Sequence, residues 1–198
     1  GVFELTAMGN PEDIFILKLN PAGDFVWARS MAGQDLDSNS VGASLAINSA
    51  GDIYLAGHFY GTVDFNPDPV ATFFLTSDLG FIFVSKYTSG GDLVWASAYG
   101  EFSNDVANSI TLDILGNAYL TGSFQGTDVD FAPDNCVSNL SSAGQSDIFI
   151  QKIGTTIGSC IAIVLQPQSM TVVEGETVIF EVEASGTTNI TYQWQVYN

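Results

Sequence analysis

The sequence predicts an all-β protein that contains a repeated unit of four short strands. Gly-rich turns alternate with runs of aromatic and β-branched residues, a composition that favours strands. The chain has 20 Gly and 14 Phe among its 198 residues, and no segment keeps an apolar period of 3.6 residues. Similar segments also recur along the chain about every 66 residues, which is typical of a repeat architecture.

The repeat is visible in three kinds of segment. The first reads DIFILKL at 13–19, FIFVSKY at 81–87 and DIFIQKI at 147–153. The second contains a Trp-Ala pair, at Trp27 and again at Trp95. The third pairs 44–68 with 109–134, so that Gly51 matches Gly116.

Each repeat divides into four strands, predicted near 43–48, 52–59, 81–87 and 92–98 in the complete copy. Turns rich in Gly, Asn, Asp and Ser separate the strands, because these residues adopt the conformations that tight turns need. Residues beyond the four strands predict a loop or an added hairpin, and they fall at 60–80 and 125–146. The nearly continuous apolar run Ile14–Leu19 predicts a strand covered on both faces.

Tandem four-stranded units are typical of β-propeller blades. The pattern DIF-x-x-KL, then WA, then G-D/N-x-Y-L and F-x-G-T-x-D-F resembles the bacterial β-propeller repeat known as SBBP, over residues 1–153. This resemblance implies a long extracellular or cell-surface protein and contributes no catalytic motif. Two units cannot close a ring, so we expect further repeats of the same chain.

The sequence changes character after residue 153. Residues 154–165 predict a linker, and 166–198 resemble the first strands of an immunoglobulin-like domain with Trp194 as its buried Trp. Val182 occupies the usual cysteine position, so the inter-sheet disulfide of that domain is not expected. The predicted fold class is therefore all-β, with a partial β-propeller of about two four-stranded blades and a truncated Ig-like β-sandwich.

The net charge of −18 argues against nucleic acid and anionic lipid as partners, since both need a basic surface. No run of 18 apolar residues occurs, so no membrane span is expected. Cys136 and Cys160 lie outside any CxxC pattern, which argues against a zinc site. A disulfide between them in an oxidising compartment stays open.

Two acidic loops are the candidate metal site. The segment from Asp64 to Asp68 recurs as 130–134, and oxygen-rich loops suit Ca²⁺. Calcium is accordingly the candidate cofactor. The alternative is structural: the acidic residues start turns, while Phe65 and Phe131 anchor the loops. The candidate calcium ligands are Asp64, Asp68, Asp128, Asp130 and Asp134.

Other repeated or singular side chains have simpler interpretations. Each lysine of the row Lys18, Lys86 and Lys152 is expected to pair with a nearby carboxylate at a strand edge. His58, the single histidine, is expected to be a polar residue near a turn, with a Ser-His-Asp site left as the alternative. The repeated Trp residues are expected to pack within blades rather than to stack on sugars.

These patterns predict a non-catalytic, secreted or cell-surface repeat scaffold for adhesion or for binding an extracellular protein or glycan. Two alternatives stay open at this point. One is a calcium-stiffened structural spacer. The other is the non-catalytic part of a larger propeller hydrolase or lyase, an analogy that rests on the fold alone.

Overall fold

The computed structural model describes residues 4–5, 12–34, 38–100, 105–132, 138–154, 162–165, 183–185 and the single positions 171, 175, 177, 179 and 181. Every regular element among these residues is a β-strand, which confirms the all-β class. The first strands are β1 (Ile14–Leu19), β2 (Phe25–Gly33), β3 (Asn39–Ile47), β4 (Ile53–Asp64), β5 (Phe74–Tyr87) and β6 (Leu93–Tyr99). The remaining strands are β7 (Val106–Leu112), β8 (Ala118–Phe124), β9 (Val129–Asp130), β10 (Asn139–Leu140), β11 (Asp147–Ile153), β12 (Ala162–Leu165) and β13 (Glu183–Ser185).

The central unit is a four-stranded antiparallel sheet in which β3, β4, β5 and β6 are neighbours in that order. Its strands agree with the four that the sequence predicts. We call β1 with β2 the first unit, and β7, β8 and β11 the third unit. By repeat position, β1 and β2 correspond to β5 and β6, whereas β7, β8 and β11 correspond to β3, β4 and β5.

The turns between adjacent strands have the same structure in successive units. In the turn before β4, the Asn48 side-chain oxygen accepts the N–H groups of Ala50 and Asp52, at 3.0 and 2.8 Å. The Asp113 side chain does the same in the third unit. Gly51 has a φ of 85°, which a residue with a side chain rarely adopts. The predicted turns are therefore confirmed, and a local hydrogen-bond pattern fixes them.

Two apolar clusters form between neighbouring units. One cluster joins the first and central units through Ile14, Ile16, Leu55 and Phe83. The other joins the central and third units through residues such as Tyr54, Ile82 and Leu120. The middle strands of the central sheet, β4 and β5, are thus largely buried on both faces, as stacked sheets require.

The outer faces of the first and third units differ from the central unit. Phe15 is 63% exposed, whereas Phe83 at the same repeat position is fully buried. Ile148 and Ile150 are 82% and 78% exposed, whereas the equivalent Ile82 and Val84 are fully buried. The expectation that Ile14–Leu19 is covered on both faces is therefore wrong, because among the described residues one unit only packs against β1.

The C-terminal part forms a separate compact unit of residues 134–136 and 157–198, while residues 1–133 and 137–156 form the larger unit. In the smaller unit, β12 and β13 pair antiparallel. Strand β12 occupies the end of the segment that the sequence predicts as a linker. The immunoglobulin-like Trp194 and Val182 lie outside the described residues, so that assignment stays a prediction.

Candidate functional site

The residues in excess of the four strands form an added hairpin in each repeat. In the central unit, β4 continues past a register shift, where residues 78–80 of β5 bulge opposite Tyr60, and Gly61–Asp64 pairs with the first residues of β5. In the third unit, β9 and β10 form the equivalent hairpin, with Asp130 opposite Asn139. Of the two alternatives that the sequence leaves open, a loop or an added hairpin, the structure forms the hairpin. The end of β2 pairs with Val63 and Asp64, which links the first unit to the hairpin of the central unit.

Asp64 closes the hairpin loop of the central unit. One carboxylate oxygen accepts the backbone N–H groups of Asn66 and Phe73, at 3.0 and 2.8 Å. These bonds join the two ends of the loop, since the Phe65 N–H also donates to the Phe73 carbonyl at 2.9 Å. The carboxylate thus supplies an acceptor for loop amides that have no strand partner.

Asp68 organises the tip of the same loop. Its side chain accepts the N–H groups of Val70 and Ala71, at 2.8 and 3.0 Å. These two bonds lower the pKa of Asp68 below its ordinary value because they stabilise the charged form. The Asn66 side chain accepts the Asp68 N–H at 3.1 Å, so consecutive Asx turns build the tip.

The loop of the third unit repeats the closing contact. Asp130 accepts the N–H groups of Ala132 and Ser138, at 2.9 and 2.8 Å. Asp128 has a φ of 59°, and its N–H donates to the Ser141 hydroxyl at 2.9 Å. Asp134 lies outside the described residues.

A buried phenylalanine anchors each loop, as the structural alternative predicts. The Phe65 ring lies 5.4 Å from Phe59 and 4.9 Å from Phe83, between ring centroids. The Phe65 carbonyl accepts a hydrogen bond from the buried Tyr87 hydroxyl at 3.1 Å. Phe131 packs in the same way on Phe124 and Phe149, and its carbonyl accepts from the Gln151 amide. Each loop is therefore fixed in two ways: its aspartate joins the two ends of the loop, and its phenylalanine packs in the apolar core.

The calcium hypothesis stays a prediction. Among the described residues no group of three His, Cys, Asp or Glu side chains comes together to hold a metal ion. The described candidates Asp64, Asp68 and Asp130 each use a side-chain oxygen to accept backbone N–H groups. Each carboxylate keeps a second oxygen, so turn capping and cation binding are compatible chemically.

The lysine row is only partly as expected. Lys86 pairs with Asp52 at 3.0 Å, and Lys152 pairs with Asp113 at 3.8 Å. Lys18 instead donates to the Ser89 carbonyl at 2.7 Å, so the carboxylate partner expected for Lys18 is wrong. Asp52 directly precedes β4, the strand beside the one that contains Lys86, and no described strand takes that place beside β1.

His58 lies in the middle of β4, opposite Val41 and Ile82, so its predicted position near a turn is wrong. Burial lowers the pKa of His58, and the negative charge of Glu12 opposes this only in part. His58 lines a pocket of about 380 Å³ that has both polar and apolar residues in its wall. Asn39, Asp78 and Asp105 also line it, and this neighbourhood was not apparent in the sequence because it joins distant strands.

The repeated tryptophans pack between neighbouring strands, as expected. The Trp95 ring meets Tyr54 edge-to-face with centroids 6.2 Å apart. Trp27 lies beneath the cationic groups of Lys18 and Arg29, at 5.8 and 5.6 Å from its ring centroid. The open pairing of Cys136 with Cys160 falls outside the described residues.

An exposed apolar set on the central hairpin was missed by the sequence reasoning. Val70 is 90% exposed, and Phe73 and Phe74 are about half exposed. The signal in the sequence was an apolar run directly after the Asp- and Pro-rich turn at 64–69. Exposed apolar groups on an ordered loop are typical of a contact surface.

Comparison with known proteins supports a repeat architecture. Residues 100–128 match the family model described as the SBBP beta-propeller repeat. The chain is 27% identical over 171 residues to the regulatory protein FlaEY of Caulobacter vibrioides, covering 81% of this chain and 18% of that protein. It is 25% identical over 142 residues to an uncharacterized WD repeat-containing protein of Acanthamoeba polyphaga mimivirus, covering 66% of this chain and 10% of that protein.

The chain spans less than a fifth of the length of either relative. In the part of the chain that the structure describes, no helix is long and apolar enough to cross a membrane. The match at residues 100–128 covers the start of the third unit, and the observed antiparallel sheets agree with it. Sequence similarity and structure together indicate an all-β, propeller-like repeat protein.

Proposed function

We propose that this chain is a non-catalytic repeat scaffold that binds an extracellular protein or glycan through its hairpin loops. The observation that carries the proposal is the loop of the central hairpin. Its backbone is closed by Asp64 and anchored by Phe65, while Val70, Phe73 and Phe74 are exposed. A loop that is ordered before binding loses little conformational entropy on contact with a partner.

The composition of this surface suggests which partners it suits. Aromatic side chains stack on the apolar faces of sugar rings and on apolar protein groups. The net charge of −18 favours neutral or cationic partners over anionic ones.

The binding proposal is tested with chain 1–198 on arrays of glycans and of extracellular proteins. A variant with Val70→Asp and Phe74→Ser removes two of the three exposed apolar side chains, and we expect it to lose the signal of the parent chain. Thr76→Ala, an exposed change on the same hairpin, is the matched control. The proposal fails if no ligand is found, or if the double variant binds as the parent does while the control is also unchanged.

We also place the protein outside the cell or on its surface, as the repeat resemblance implies. Fractionation of the source cells, with an antibody against the chain, tests this location. Recovery only in the cytoplasm contradicts it. A panel of hydrolase and lyase substrates tests the non-catalytic assignment, and turnover by the chain that is lost after Asp64→Ala contradicts it.

Further repeats of the same type are proposed to cover the two outer faces. The exposed Ile148 and Ile150 have the same repeat positions as the fully buried Ile82 and Val84. Ile150→Asp is therefore expected to be tolerated in chain 1–198 but to destabilise a longer chain with another repeat. If Ile150→Asp leaves the stability of both chains unchanged, this arrangement is contradicted. Val84→Asp, at the buried equivalent position, is the reference variant that should destabilise both chains.

The calcium-stiffened spacer is the second candidate, supported by the carboxylates of the two hairpin loops. A ligand that binds only the folded state raises the melting temperature. If calcium binds these loops, millimolar Ca²⁺ raises the melting temperature of chain 1–198, and EDTA reverses the rise. Mg²⁺ at the same concentration is the control. Identical melting with Ca²⁺, Mg²⁺ and EDTA rejects this candidate.

A further inference from the structure

The pocket of about 380 Å³ that His58 lines lies between the central and third units, where the central hairpin begins. The central unit contributes Asn39, His58 and Tyr60 to its wall, and the third unit contributes Asp105 and Val106 at the start of β7. Each of these positions is in a described part of the chain. The volume is within the range of pockets that hold small molecules.

The alternation of side chains along β4 explains why its polar residues meet the third unit. His58 and Tyr60 are two and four residues after Ala56, so the three side chains lie on the same face of the strand. Ala56 belongs to the apolar cluster that joins the central and third units. Asn39 lies opposite Tyr60 on the neighbouring strand β3, so its side chain shares this face.

The side chains of the pocket are not those that the repeat itself requires. The segment GHFYGT of the central unit recurs as GSFQGT in the third unit. His58 therefore corresponds to Ser123, and Tyr60 corresponds to Gln125, whereas the phenylalanine between them is unchanged. Since the third unit folds with Ser and Gln at these positions, His and Tyr serve this one junction and not the strands.

The polar wall of the pocket suits hydroxyl groups. The Oδ1 atom of Asn39 and the Nδ1 atom of His58 are buried and have no hydrogen-bond partner among the described residues. Buried polar atoms are rarely left unpaired in folded proteins, where protein groups or ordered water satisfy them. Burial lowers the pKa of His58, so the imidazole is neutral at pH 7 and has one donor and one acceptor nitrogen. A hydroxyl group both donates and accepts, and it matches this wall.

Two partly exposed apolar side chains and two carboxylates complete the pocket. Tyr60 is 45% exposed and Leu79 is 51% exposed. Asp78 is exposed beside Leu79, whereas Asp105 is buried and accepts the Gln125 N–H at 2.9 Å. An exposed tyrosine ring offers an apolar face on which a ligand ring can stack. The carboxylates disfavour an anionic ligand.

We propose that this pocket binds a neutral sugar ring, with Tyr60 stacked on the ring and with Asn39 and His58 bonded to its hydroxyl groups. A pyranose has apolar C–H faces and a rim of hydroxyl groups, and the pocket has the same division between apolar and polar parts. None of the exposed loop residues Val70, Phe73 and Phe74 lines the pocket. The inference therefore adds a second contact site and does not depend on the loop-binding proposal.

Saturation-transfer difference NMR of chain 1–198 with the methyl glycosides of glucose, galactose and N-acetylglucosamine tests the pocket. We expect at least one glycoside to bind, with a dissociation constant of about 1 mM, which is usual for a ligand of this size. Tyr60→Gln should weaken binding about tenfold, because it removes the stacking ring. Tyr60→Phe keeps the ring and should retain most of the affinity.

The third unit supplies the safeguard against misfolding, since Tyr60→Gln and His58→Ser introduce the residues that it has at these positions. Both variants should melt near the temperature of the parent chain and still bind the sugar more weakly. The variant with Val70→Asp and Phe74→Ser is the matched control, and its sugar binding should equal that of the parent.

Three results overturn the inference: no glycoside binds, Tyr60→Gln binds as the parent does, or methyl glucuronide binds as tightly as the neutral glycosides. Loss of sugar binding in the Val70→Asp, Phe74→Ser variant but not in Tyr60→Gln also overturns it, because the sugar then contacts the loop. Sugar binding that needs Tyr60 but not the loop residues supports the pocket even if the loop-binding proposal fails.

Discussion

Addition of a single methyl group at Gly57 is predicted to destabilise the protein strongly, because the strands pack very closely around this glycine. Gly57 lies in β4, opposite Phe83 of β5. A Cβ atom at Gly57 would lie 1.9 Å from the Val41 carbonyl oxygen and 2.8 Å from the Phe83 ring. The Val41 oxygen belongs to the backbone, so relief requires β3 and β4 to separate by more than an ångström. Gly122 has the same surroundings in the third unit, with 2.0 Å to the Val106 oxygen and 2.7 Å to Phe149.

Gly57→Ala is therefore expected to lower the free energy of unfolding by about 1–3 kcal/mol or more, the usual range for overpacking in a well-packed core. In a domain of this size, each kcal/mol corresponds to roughly 2–4 °C in melting temperature. Thermal and guanidinium unfolding of chain 1–198, followed by tryptophan fluorescence, measures the change. Gly122→Ala should show a loss of similar size.

Gly144→Ala is the matched control, because a Cβ atom there meets nothing within 4 Å. Its stability should stay within about 0.5 kcal/mol of the parent, as for ordinary surface changes. If Gly57→Ala is as stable as Gly144→Ala, then the close packing of Phe83 over the glycine does not exist in solution. The strand order observed for the central unit would then be wrong as well.

Three further predictions concern single contacts. Phe65→Ala should destabilise the chain by about 3–5 kcal/mol in chemical unfolding, since it removes a buried ring, and a loss below 1 kcal/mol contradicts the anchor. Asp64→Ala should lower the free energy of unfolding by about 1 kcal/mol, and Asp64→Asn should lower it by less, because Asn keeps an acceptor oxygen. Equal losses in chemical unfolding contradict the capping role. The hydrogen bond from Lys86 lowers the pKa of Asp52 below its ordinary value of 3.8, so its stabilisation is present above pH 4 and is lost as the pH falls through the lowered pKa. Asp52→Asn should remove that acid-dependent part, worth less than about 1 kcal/mol, and an unchanged pH profile contradicts the pair.

Much of the local structure could be predicted from the sequence. The four strands of the central unit, the turns between them and the added hairpin follow from turn residues and apolar runs. The anchoring of Phe65 and Phe131 also follows, because both recur at the same repeat position. These features depend on contacts within one repeat, and the repeated sequence shows them twice.

Contacts between units could not be predicted in the same way. The sequence places His58 near a turn, but it lies in mid-strand and lines a pocket with residues of three other strands. Lys18 and Lys86 have the same repeat position, yet their partners differ. Lys86 pairs with Asp52, which directly precedes β4, and no described strand takes the place of β4 beside β1. The exposed loop residues Val70 and Phe74 also have no periodic signal.

The sequence alone determined the strand pattern, the turn chemistry and the period of the repeat, because backbone conformation and apolar alternation are local properties. The tertiary structure decided which of the repeated positions are buried. Ile82 and Ile148 are the same residue type at the same repeat position, yet one is fully buried and the other is 82% exposed. Burial depends on the unit that packs alongside, and a residue's own segment contains no information about that neighbour.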